Sequence, residues 1–132
     1  MDTRPLVIEE TEAGAELIRR FQDFMPLEAA FWLNPAEEGK RALYFASPRI
    51  DGDQYKLGLG EILRLVREMR TPYIDPFQIR LIGGDDPLAK AAVEINQEYP
   101  GPKPMRVRGK NFGGIQVEEV YIYPIKELTP AS

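Results

Sequence analysis

The sequence contains no cysteine. Disulfide frameworks and thiol chemistry are therefore excluded. It contains no histidine either, which removes a Ser-His-Asp triad and His-ligated zinc. Any catalysis would have to rest on carboxylates, Lys, Tyr or Ser, or on a hard cation held by oxygen. No run approaches the roughly 20 apolar residues that a membrane-spanning helix needs. The opening residues, Met1-Asp2-Thr3-Arg4-Pro5, lack the basic-then-apolar layout of a secretory signal. The expectation is a cytoplasmic protein that does not engage a membrane. Positive charge is not in excess: 17 Lys and Arg face 21 Asp and Glu, a net charge of −4. The balance does not favour nucleic acid overall. Walker, G-x-G-x-x-G and complete EF-hand patterns are missing as well, and no cofactor is expected. Taken together, the absences weigh against an enzyme.

What is present suits one globular domain spanning residues 1–132, with 43% apolar and 29% charged residues. Residues 1–10 read as an N-terminal segment and 128–132 as a short tail. Thr11 is positioned to cap a first helix running to Phe24 or Met25, because Ala13, Leu17, Phe21 and Phe24 recur at helical spacing. Pro26 stops it. Glu28–Asn34 and Arg41–Ser47 alternate as strands but are apolar on both faces, which places them centrally in a covered sheet. Asp53–Met69 carries a helical stripe through Tyr55, Leu59, Ile62, Val66 and Met69, interrupted by Gly58 and Gly60. Phe77–Ile82 is a third strand, with Phe77, Ile79 and Leu81 inward. Asp86 and Pro87 are suited to the N-cap and first position of a third helix ending at Tyr99. Met105–Gly109 and Ile115–Tyr123 complete the set. The alternation of the last strand slips between Val117 and Val120. A β-bulge near Glu118-Glu119 accounts for this, and so does a second half buried on both faces.

The order helix, strand, strand, helix, strand, helix, strand, strand predicts an α+β or α/β domain. Its three helices pack on a mixed, partly parallel five-stranded sheet. Parallel crossovers through the middle three strands would bring two acidic loops to one rim, where open α/β sheets hold ligands. One loop is Ser47-Pro48-Arg49-Ile50-Asp51-Gly52-Asp53 and the other Gly83-Gly84-Asp85-Asp86-Pro87. Asp51, Asp53, Asp85 and Asp86 could then hold Mg²⁺ and handle phosphate or a nucleotide. The same residues are also ordinary caps and turn formers.

A second candidate lies near the C-terminus. Four bases and no acid occur between Pro100 and Val117. Gly109-Lys110-Asn111-Phe112-Gly113-Gly114 has the glycine and asparagine content of a hairpin turn. Those residues leave Arg106, Arg108, Lys110 and Phe112, expected to be exposed at the tip, to explain. Arginine and aromatics anchor protein interfaces and also grip single-stranded nucleic acid. Tyr121 and Tyr123 on the final strand extend the patch, and they invite pairing with another chain if that strand is an edge. The leading expectation is a non-catalytic binding or assembly module that uses Arg106, Arg108, Lys110, Phe112, Tyr121 and Tyr123 to hold a protein partner or a second copy. The Mg²⁺-dependent enzyme is the alternative, and the nucleic-acid binder is a second alternative.

Overall fold

A computed structural model describes residues 6–37, 39–48 and 50–128. Helix α1 spans Ile8–Gln22. It begins three residues before the expected Thr11, so Ile8, Glu9 and Glu10 belong to the helix and not to a leading segment. No capping side chain sits at Val7, but the Glu10 carboxylate reaches back to accept from the Val7 N–H at 3.1 Å, filling the role of a cap. The Thr11 hydroxyl instead donates to the Ile8 carbonyl inside the helix. Strands β1 (Ala29–Pro35) and β2 (Ala42–Ser47) form the expected hairpin. Helix α2 (Gly52–Met69) is capped by Asp51, which accepts from the Gln54 N–H. Strand β3 (Ile79–Gly83) follows a 3-10 turn over Pro76–Gln78. Helix α3 (Pro87–Glu98) is capped by Asp86 as expected. Strands β4 (Met105–Arg108), β5 (Asn111–Phe112) and β6 (Ile115–Ile122) close the domain.

The sheet order is β3-β2-β1-β6-β4, with β5 also on β6. β2 and β3 are parallel, joined through α2, and the other pairings are antiparallel. Thus only the first of the two expected crossovers is parallel. β4 runs opposite to β2 and β3 and lies at the far edge, because β6 inserts between β1 and β4. The last strand is consequently not an edge. β5 continues the line of β4 in one register along β6, which raises the strand count from five to six.

Helices cover the two sheet faces unequally. α1 and α2 send Leu17, Ile18, Phe21, Ile62, Leu65 and Val66 onto a face that includes Leu43, Phe45, Ile79 and Leu81. α3 packs Leu88, Ala89 and Ala92 on the opposite face, against Phe31, Leu33, Val117, Val120 and Ile122. β1 contributes to both cores, which is why it is apolar throughout. The slip in β6 is a bulge. Asn34 pairs with Glu119, yet Pro35 pairs with Val117, leaving Glu118 as the extra residue.

Phe77 does not point inward. Asp75 caps the short turn through the Phe77 N–H, Pro76 fixes its first position, and the Phe77 ring is 82% exposed. Leu128 is buried, and its carbonyl accepts a hydrogen bond from Gln22. It belongs to the core and not to a tail. The remaining tail residues, 129–132, lie outside the described residues.

The two interior glycines of α2 have different roles. A Cβ on Gly58 would stand 2.6 Å from Leu81 Cδ2, whereas one on Gly60 would meet nothing within 4 Å. Gly58 therefore lets the helix approach the sheet, and Gly60 carries only its entropic cost. Gly60→Ala is expected to stabilise by roughly 0.5–1 kcal/mol. Gly58→Ala is expected to destabilise by about 1–2 kcal/mol through overpacking. Urea unfolding midpoints should move in opposite directions, and equal shifts would contradict this packing.

Candidate functional site

Residues directly opposite on paired strands share a face. On the face that carries α1 and α2, one row runs Ile79, Leu43, Trp32, Tyr121, Arg106 across β3, β2, β1, β6 and β4. It passes from aliphatic beneath the helices to aromatic and then cationic at the edge. A neighbouring row brings together Asn34, Glu119 and Arg108. On the other side of the first row stand Leu81, Phe45, Ala30 and Tyr123.

α1 seals the Tyr123 row. The Trp32 Nε1–H donates to the Tyr123 hydroxyl at 2.9 Å, and that hydroxyl donates to the Thr11 carbonyl at 2.7 Å. Burial pushes the Tyr123 hydroxyl far above the usual tyrosine range, with the Trp32 hydrogen bond acting the other way. Tyr123 stays protonated and keeps its donor role. A Cβ on Gly14 would stand 2.3 Å from the Tyr123 hydroxyl oxygen and 3.2 Å from Trp32 Nε1. Glycine at this helical position allows α1 to lie directly on the Trp32–Tyr123 pair.

Past this pair the helical cover stops and a cavity of about 500 Å³ opens. Leu6 and Tyr121 supply apolar surface to it, Asn34 and Arg108 supply donors, and the buried Trp32 and Arg41 lie behind its wall. Its size falls within the roughly 300–1,000 Å³ of ligand clefts, and an apolar wall with few convergent polar groups is their usual chemistry. Tyr121 meets Tyr123 edge-on with ring centres 5.1 Å apart, and the Arg106 guanidinium lies 4.9 Å above its ring, a cation-π contact. Burial raises the pKa of Tyr121, opposed by a hydrogen bond with Thr11 and by the charge of Arg106.

The bulge shapes the polar wall. It turns two successive carboxylates toward one face: Glu118 accepts from Asn34 Nδ2 at 3.3 Å, and Glu119 accepts from both Arg106 and Arg108. Arg108 reaches Glu119 through Nε at 3.1 Å, and its two Nη groups have no protein partner among the described residues. Arg41 is buried beside the cavity, with its Nη1 3.5 Å from Glu10 Oε1. Arg106 and Arg108 share one carboxylate, Glu119, and Glu118 stands beside them on the same wall. Arg108 is 69% exposed, and exposed ion pairs contribute only about 0–1 kcal/mol. An incoming carboxylate could therefore compete for these donors at little cost.

No family model matches the chain, and no match to it was found among curated proteins or solved structures.

Of the residues expected to bind, Arg106, Arg108, Tyr121 and Tyr123 gather on this face. Tyr123 is buried beneath α1 and supports the site from below. Phe112 is corrected: it is 2% exposed and points to the opposite face, where its ring lies 5.5 Å from that of Phe31. Lys110 stands outside the cavity and lines a groove on the α3 side. Trp32, Asn34, Arg41, Glu118 and Glu119 were not legible as site residues. The available signal was a lone tryptophan followed two residues later by asparagine in an otherwise apolar strand.

The acidic rim is also corrected. β2 and β3 are adjacent and parallel, so their C-terminal loops do meet: a Cβ on Gly83 would lie 3.9 Å from that of Ile50. Asp51 and Asp86 are engaged as helix caps. Asp53 is exposed in the first turn of α2, and Asp85 is exposed in its loop. Among the described residues no group of three or more carboxylates could hold a metal ion. Arg49 lies outside the described residues. No helix among the described residues is long and apolar enough to cross a membrane.

Proposed function

We propose that this chain is a small binding module, without catalytic chemistry of its own, that holds a protein partner on the β1-β6-β4 side of its sheet. The observation that supports it is the end of helical cover at Trp32. There the half-buried Tyr121, next to a Trp32 that is only 2% exposed, flanks Arg108, whose two Nη groups have no protein partner among the described residues. Aromatic residues and arginine dominate the anchor positions of protein interfaces. The reading differs from the hairpin-tip expectation in one respect: the contact surface is the strand face behind the turn, because Phe112 is consumed by the core.

Trp32 is the only tryptophan of the chain and lies buried against the cavity wall, so its emission senses a change in the cavity. Selection of random displayed peptides on the folded protein should yield binders that shift Trp32 fluorescence. Their affinity should fall by roughly tenfold or more in Arg108→Glu, as expected for reversal of an interface charge, while the melting temperature stays unchanged. Binders that ignore this substitution and leave the emission unmoved, or no binders at all, would reject the proposal.

A further inference from the structure

The edge strand β4 suggests how such a partner is held. We infer that the protein binds an extended segment of its partner by strand addition to β4, and that this segment alternates acidic with apolar side chains. The inference rests on the binding role proposed above.

β4 ends the sheet, and among the described residues its outer backbone edge has no partner strand. The Gly109 N–H donates to the Glu118 carbonyl at 3.1 Å, so it faces β6. Antiparallel pairing alternates inward and outward backbone groups. Met105 and Val107 therefore also bond toward β6, and the N–H and C=O groups of Arg106 and Arg108 point outward. Such a row is a template for another strand. Natural proteins often guard edges with charged side chains. Here the two arginine side chains are drawn back across the sheet face, onto Glu119 and the Tyr121 ring. No proline occurs within β4.

An added strand would present its side chains alternately to the two sheet faces. On one face they meet Arg106 and Arg108, two guanidinium groups that share a single carboxylate. Acidic side chains complement them, and arginine recognises carboxylates through its planar fork. On the other face they meet a groove of about 710 Å³ between α3 and the β4–β5 line. Ile95, Tyr99, Met105 and Val107 supply its apolar lining, with Glu94, Glu98 and Lys110 also lining it, and Tyr99 is exposed. Apolar side chains fit there. Backbone pairing with separate pockets for alternate side chains is the established physics of this recognition mode.

The test uses the full chain and synthetic peptides of four kinds: alternating Asp and Val, alternating Lys and Val, the Asp-Val composition in blocks, and the alternating Asp-Val peptide N-methylated on every second residue. The alternating acidic peptide should shift the NMR signals of the Arg106 and Arg108 amides and slow their hydrogen exchange. It should bind at least roughly tenfold more tightly than the other three. In the Arg106→Glu/Arg108→Glu double variant the preference should pass to the Lys-Val peptide, a gain that a merely unfolded variant could not show. Equal binding of the blocked or N-methylated peptide would overturn strand addition. So would shifts confined to the Trp32 cavity, although these would leave the binding role standing. A single-stranded oligonucleotide that protects the same amides while no peptide does would overturn both.

Discussion

Gly113→Ala is expected to destabilise the protein by roughly 2–4 kcal/mol, combining left-handed backbone strain with overpacking. Gly113 and Gly114 form a two-residue turn between the paired residues Phe112 and Ile115. Their φ angles are +59° and +90°, and both central positions of a type I′ turn require positive φ. At Gly113 a second constraint applies. A Cβ there would stand 2.9 Å from Leu88 Cα, Leu88 Cδ2 and the Pro87 carbonyl oxygen. Two of those atoms are backbone at the start of α3 and cannot swing aside. Gly114 faces open space, so Gly114→Ala should cost only the strain of its φ, about 1–2 kcal/mol. Urea unfolding of the two variants separates these contributions. Equal losses would mean that the hairpin is not seated on α3.

Phe112→Ala should cost roughly 3–5 kcal/mol, the range for emptying a buried aromatic site. Phe112 is fully enclosed beside Phe31, Leu88, Ala89 and Ala92. The Phe31 ring stacks in turn on Tyr44 with centres 5.1 Å apart. Removing Phe112 therefore withdraws support from a chain of aromatic contacts as well as from α3. An exposed contact residue would behave oppositely, losing partner affinity with little change in stability, since surface substitutions usually stay within about 0.5 kcal/mol. Calorimetry or urea unfolding discriminates between the two. An unchanged stability in Phe112→Ala would return the residue to the hairpin surface.

Both cases show where local reading of the chain fails. Phe112 sits among Lys110, Asn111 and two glycines, so its neighbours in sequence indicate an exposed tip. Its burial depends on α3, which starts 25 residues earlier at Pro87. Phe77 errs in the other direction. It continues the alternation of Ile79 and Leu81, but Asp75 and Pro76 curl it into a 3-10 turn before pairing begins. The acidic loops illustrate a third kind of ambiguity. Aspartate serves both helix caps and metal sites, and residue type alone does not separate those uses. The hydrogen bonds of Asp51 and Asp86 do.

By itself the sequence determined the order of helices and strands, the Asp86 cap, the β1–β2 hairpin and the glycine turn, and it located the slip at Glu118-Glu119 without separating a bulge from burial on both faces. These depend on neighbours a few residues apart, through capping hydrogen bonds, positive φ and the two- or 3.6-residue period of buried side chains. Only the tertiary structure decided that β6 lies between β1 and β4, that β4 becomes an edge strand as β3 is at the other end, and that Trp32, Tyr121 and Arg108 meet where helical cover ends. Periodicity identifies which side chains share a face. Which part of that face is covered depends on elements distant in sequence, whose packing is set by the shape and volume of the whole core.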